Sequence, residues 1–188
     1  MISGTLRLLL VAAFFTPGLS FAQWEIAQLM EALKRTEPVQ LGYTETRYLA
    51  YLKVPLVARG VLGFHPPDAL RRTDDRRLES YLIKGDEVRI ETAEGAREIA
   101  LDTHPALRAF AESLRACLAG DLPRLQQYFL LQVQGDQERW KLLLKPRQAS
   151  VAALIQRIEL AGSGEAILHL EMLEAGGDRT LTELEAVP

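Results

Sequence analysis

Asparagine is absent from all 188 residues, cysteine occurs once, at Cys117, and histidine three times. Without Asn the chain has no N-glycosylation acceptor, and one Cys forms neither an internal disulfide nor a multi-thiol zinc site. His65, His104 and His169 lie too far apart for an H-x-x-x-H metal spacing. An excess of positive charge is also lacking: 22 Lys+Arg face 25 Asp+Glu, which excludes a strongly basic nucleic-acid surface. Long apolar runs are missing as well. The run Leu8 to Phe15 falls far short of the roughly 20 residues that cross a bilayer as a helix.

That run nevertheless has a function. Arg7 precedes it, Thr16-Pro17-Gly18 break it, and Ser20-Phe21-Ala22 place small residues at the −3 and −1 positions of a signal-peptidase site. Residues 1–22 are therefore expected to be a cleaved signal peptide. Gln23, not Cys, follows the cut, so no lipid anchor is expected. Residues 23–188, of ordinary globular composition, are long enough to form one domain with its own core.

Within that domain, Ile26, Leu29, Met30 and Leu33 make one apolar stripe of a helix over 23–36, ended by Glu37-Pro38. Alternation then predicts strands over 40–53, 56–64, 70–73, 78–83, 87–92 and 97–101, joined by turns such as Lys84-Gly85-Asp86-Glu87. A second helix follows, capped by Asp102 or Thr103, opened by Pro105 and closed by Gly120, with Leu107, Phe110 and Leu114 on its apolar face. Residues 122–127 read as a turn or short helix. Strands resume over 129–133, 139–145, 151–160, 166–173 and 180–184. About ten strands and two clear helices predict a mainly β (α+β) fold: an incomplete, strongly curved antiparallel barrel with a helical lid over an apolar cavity.

Catalytic signals are sparse. Gly162-Ser163-Gly164 lacks the spacing of a nucleophile elbow and reads as a hairpin turn. Cys117 sits on an apolar helix stripe and reads as core. The run Arg71 to Arg77 nearly neutralises itself and reads as a solvated hairpin edge.

Several segments together resemble the LolA-like periplasmic outer-membrane lipoprotein carriers. Gly60 to Arg71 resembles their "G-x-L-x-F-x-x-P-x-x-L/F-R" hairpin, Tyr43-Thr44-Glu45 their first strand and Ile83 to Val88 the hairpin that follows. Trp140 to Pro146 resembles the later "W/F-x-L-x-P" strand, and Ile158-Glu159-Leu160 with Gly176 to Thr180 the final hairpins. The resemblance implies a soluble, monomeric periplasmic carrier of a Gram-negative bacterium, without cofactor, metal or catalysis. It would receive an acylated lipoprotein or other lipid from an inner-membrane donor complex or exporter and pass it to an outer-membrane acceptor. In the family an Arg before the hairpin proline holds the lid closed; Pro66 stands there in this chain. The sequence looks closest to divergent LolA-related proteins, with cargo open between lipoprotein and free or glycosylated lipid.

On this reading the cavity wall comprises Leu62, Phe64, Val88, Ile90, Phe129, Leu131, Trp140, Leu142, Leu144, Leu168 and Leu170, with Leu107, Phe110 and Leu114 from the lid. Leu142→Glu is then expected to abolish cargo binding. Two alternatives stay open: a protein-binding scaffold or sensor whose interior is filled, and a lipid-modifying enzyme using His65 with Asp68 or Asp74.

Overall fold

The computed structural model describes residues 25–75 and 79–187. The expected signal peptide, Leu78 and the Arg76-Arg77 part of the charged run lie outside the described residues.

A helix, α1 (Ile26–Leu33), leads into six strands: β1 (Val39–Tyr48), β2 (Leu56–His65), β3 (Ala69–Asp74), β4 (Glu79–Lys84), β5 (Glu87–Thr92) and β6 (Gly95–Ala100). A helical turn over 101–103 brings in α2 (Pro105–Ala119) and α3 (Leu122–Tyr128). The chain then returns through β7 (Phe129–Gly135), β8 (Trp140–Pro146), α4 (Ala149–Ala152), β9 (Ile155–Ser163), β10 (Ala166–Glu174) and β11 (Arg179–Ala186).

All described strands belong to one antiparallel sheet in the order β6-β5-β4-β3-β2-β1-β11-β10-β9-β8-β7. Within each half consecutive strands pair as meanders; most are joined by two- to four-residue turns, which permit only antiparallel neighbours, while β1–β2 and β8–β9 are joined by seven and eight residues and pair antiparallel too. The exception is the pair β1–β11, which joins the two meanders at the centre, with Tyr43 opposite Leu184 and Glu45 opposite Thr182. Strands β6 and β7 are the free edges, so the barrel is open, and the segment 101–128 runs from one edge to the other.

The expected fold class is the one observed. Several boundaries differ, among them the following four. The first strand stops at Tyr48 and not Lys53, because Leu49 to Leu52 close a turn in which the Leu52 N–H donates to the Leu49 carbonyl at 2.9 Å. Val151 and Ala152, expected to open a strand, belong instead to α4, and β9 begins at Ile155. His104, not Asp102 or Thr103, is the residue flanking the start of α2. Leu101 leaves the strand and is fully buried in the helical turn.

One face of the sheet carries the core. Leu29, Met30 and Leu33 of α1 and Leu114, Cys117 and Leu118 of α2 join Trp140, Leu142, Leu144, Ile158 and Leu160 in a single buried cluster. The packing is tight at Trp140, whose indole N–H donates to the Gly164 carbonyl at 3.0 Å. A Cβ on Gly162, its cross-strand partner, would lie 2.5 Å from the Trp140 ring, so only glycine leaves room for the indole. Among the described residues no helix is long and apolar enough to cross a membrane.

Candidate functional site

The helices cover the inner face unevenly. α2 touches both β3 and β9, α3 leans on β7, and α4 on β8 and β9, so the β7–β9 side is packed solid. Over β1–β4, β10 and β11 the covering is incomplete, and a cavity of about 850 Å³ remains beneath the first half of α2. Its deep wall is apolar, formed by Leu62, Leu70, Ile83 and Leu170, with Ala106, Leu107 and Phe110 above. Exposed Pro55, Leu56 and Val57, with half-buried Ala58, line it where β2 begins. The β1–β2 loop that leads into these residues holds Tyr51 and Val54, 78% and 72% exposed.

Of the residues expected to form the wall, Leu62, Leu170, Leu107 and Phe110 line this cavity. Phe64, Val88, Ile90, Phe129, Trp140, Leu142, Leu144 and Leu114 are on the inner side but buried at 0–5% exposure within the packed core, away from the lining. Leu131 is half-buried at the margin of that core. The expectation for Leu168 does not hold: it is 39% exposed, because a bulge between Ile167 and His169 shifts the alternation and turns it outward. Leu142 is fully buried, so Leu142→Glu would test folding and not binding.

The cavity also has a polar floor that hydropathy alone does not pick out. On β3 the inward alternation that begins at Leu70 continues through Arg72 and Asp74, while Arg71 points outward with 44% of its side chain exposed. The Arg72 guanidinium donates to both carboxylate oxygens of Glu45, at 2.7 and 3.1 Å, and its Nε donates to the Tyr43 hydroxyl at 3.1 Å. It also lies 4.5 Å over the Tyr43 ring. Burial pushes the Tyr43 phenol above its ordinary pKa, opposed by the charge of Arg72. Gly60 makes the arrangement possible: a Cβ there would stand 1.8 Å from the Thr73 carbonyl oxygen and 3.0 Å from the Tyr43 ring. Glu79, which accepts a hydrogen bond from the Tyr81 hydroxyl at 2.7 Å, and Arg47, Glu174 and Thr180 complete the polar lining. The signal was present in the sequence: stepping by two from Leu70 reaches Arg72 and Asp74.

The covering helix is tied down by a buried ion cluster. Glu112 and Arg115, one turn apart on α2, are fully buried and in direct contact. Arg124 of α3 donates to Glu112 from Nε at 2.7 Å and from Nη2 at 3.2 Å. Arg115 Nη1 then reaches the sheet, donating to the Gly85 carbonyl in the β4–β5 turn at 2.8 Å and to the Asp68 carbonyl in the β2–β3 turn at 3.4 Å. These two turns hold each other, the Gly85 N–H donating to Asp68 Oδ2 at 3.2 Å. Pro66 has no side-chain donor, so in this chain the tie between hairpin and helix is made from the helix side.

The histidine reading finds no support in this geometry. His65 is exposed, Asp68 faces the Gly85 turn, and Asp74 is buried on the inner face. Among the described residues no three His, Cys, Asp or Glu side chains group as a metal site.

The sequence matches the family described as outer membrane lipoprotein carrier protein LolA-like over residues 20–187. No curated protein matches it. Solved structures with a similar chain path include a LolA superfamily protein from Nitrosomonas europaea (TM-score 0.48, 10% identity, 85% of this chain and 90% of that one). Others are the lipoprotein LppX of Mycobacterium tuberculosis (0.41, 10%, 79% and 84%) and LprF of Mycobacterium bovis (0.40, 10%, 87% and 92%). With a family match across nearly the whole chain, the protein belongs to the LolA-like outer membrane lipoprotein carrier family, as a divergent member.

Proposed function

We propose that the protein is a periplasmic carrier that shields the acyl chain of a lipoprotein or other lipid in the cavity beneath α2 and delivers it toward the outer membrane. The carrying observation is the cavity itself: about 850 Å³ with a largely apolar wall, open to solvent at one mouth. Each methylene moved from water to such a wall gains about 0.8 kcal/mol, so even a partly inserted chain is held without any covalent step. Release needs only an acceptor with a better site. The space left beneath the helix favours this reading over a scaffold with a filled interior.

Leu107→Glu tests the proposal. Leu107 is half-buried and faces the cavity, so the variant is expected to keep its melting temperature within a few degrees. Its affinity for a fluorescent fatty acid should fall at least about ten-fold, since a carboxylate in an apolar wall keeps its hydration only by excluding the chain. Native mass spectrometry of the wild-type protein from periplasm should show a bound amphiphile. A wild-type protein that emerges clean and takes up no acyl probe would return the scaffold reading.

A further inference from the structure

Exposed large apolar side chains are concentrated at one end of the sheet. Tyr48, Tyr51, Leu52, Val54, Leu56 and Val57 fall within ten residues and are between 40% and 78% exposed. They occupy the end of β1, the start of β2 and the loop between them. That loop is fixed: the Leu52 N–H donates to the Leu49 carbonyl at 2.9 Å, and the Ala50 N–H to Asp178 Oδ1 at 2.7 Å. The neighbouring chain continues the patch. The Glu174 N–H donates to the Asp178 carbonyl, closing a β10–β11 turn whose exposed Ala175, Gly176 and Gly177 raise no bulky side chain. The Ala175 N–H in turn donates to the carbonyl of Leu154, itself 45% exposed. An apolar cluster held in water by a loop this firmly tied marks a docking surface.

Composition identifies the occupant. From Tyr48 to Ala58 the only charge is Lys53, with Arg47 and Arg59 at either side and no carboxylate between them. Tyrosine among aliphatic side chains with a lone lysine suits a lipid–water boundary, where rings sit at headgroup level, aliphatic groups lie below them and the ammonium reaches back to phosphate. Carboxylates at this end lie at the root of the loop, among them Glu174 and Asp178 on the turn and Asp75, whose N–H donates to the Arg59 carbonyl. Shallow insertion of the tip leaves them in water. Leu56 and Val57 are exposed and also line the cavity, so the patch is continuous with the space beneath α2.

We infer that the β1–β2 loop docks this protein on a phospholipid membrane surface by shallow insertion of Tyr51, Leu52 and Val54, with Lys53 toward the phosphates. Its consequence for cargo rests on the carrier reading above: a docked loop sets the cavity against the bilayer, and an acyl chain passes between the two along Leu56 and Val57.

The test floats the protein lacking residues 1–22 with vesicles of phosphatidylethanolamine containing a quarter phosphatidylglycerol. The wild type is expected to float, and Tyr51→Ser/Val54→Ser to lose at least about ten-fold in vesicle affinity. Both side chains are exposed and outside the cavity lining, so that variant should keep its melting temperature and its affinity for a fluorescent fatty acid in solution. Lys53→Ala should lose about five-fold on these vesicles and nothing on phosphatidylcholine alone. Because Cys117 is buried, a single new thiol can be labelled. A polarity-sensitive dye on Val54→Cys should shift to the blue on vesicles, and on Glu138→Cys, exposed in the β7–β8 turn at the opposite end of the sheet, it should not. Absence of flotation, a double variant that floats like the wild type, or equal dye shifts at the two positions overturns the docking inference, while fatty-acid uptake keeps the carrier reading. A wild-type dimer in light scattering that Tyr51→Ser/Val54→Ser converts to a monomer assigns the patch to a second copy and overturns it too. Flotation without any fatty-acid uptake leaves docking in place and removes the carrier reading.

Discussion

At Cys117 the surroundings decide the chemistry. The thiol is fully buried on the inner side of α2, and desolvation pushes its pKa up to about 12. Because the raised value favours the protonated form, at pH 8 almost no thiolate exists, and the sulfur is neither a nucleophile nor an oxidation target. Native protein is therefore expected to show no reaction with a disulfide reagent at pH 8 over an hour and one equivalent of thiol in 6 M guanidinium. Immediate reaction of the native protein would contradict its burial. This placement was legible in advance, since Cys117 shares the stripe of Leu114 and Leu118. Leu168 was not: a single bulge reverses its side of the sheet, and nothing in the composition of Ile167-Leu168-His169 signals an extra residue.

Among the elements, α2 holds the tension between fold and site. Its first half roofs the cavity; its second half is buried on nearly all sides, Glu112 and Arg115 included. An i,i+3 pair of opposite charge normally reads as a solvated helix face. Here α3 and two sheet turns cover it, and only tertiary structure reveals that. Removing the anion leaves a buried guanidinium unpaired, so Glu112→Ala should cost about 3–5 kcal/mol in urea unfolding. Arg124→Ala, whose side chain is 32% exposed, should cost clearly less. Equal losses would mean that the cluster does not anchor the helix. Alternation located the strands and their inward sides well, yet it could not separate core from cavity. Trp140, Leu142 and Leu144 point the same way as Leu62 and Leu170, and what differs is which part of the roof lies above them.

For the whole molecule, the open sheet implies a gradient of protection. β6 pairs on one side only, with nearly every residue exposed, whereas β1 and β11 are paired on both sides. Hydrogen exchange is expected to be fastest among the strands at β6 and slowest in β1 and β11. Uniform exchange across the sheet would indicate a single opening unit and no such gradient. The central β1–β11 joint has a further effect, on the order of assembly. β1 to β6 can zip as neighbours while the chain is being made, and so can β7 to β10. The contact between halves, marked by the Ala50 N–H donating to Asp178 across 128 residues, must wait for the last strand. Glu45 and Thr182 face each other only then. Until β11 is in place the Leu170 and Met172 wall on β10 is not joined to the wall on β1 to β4, so a chain that stops short of this strand has no cavity.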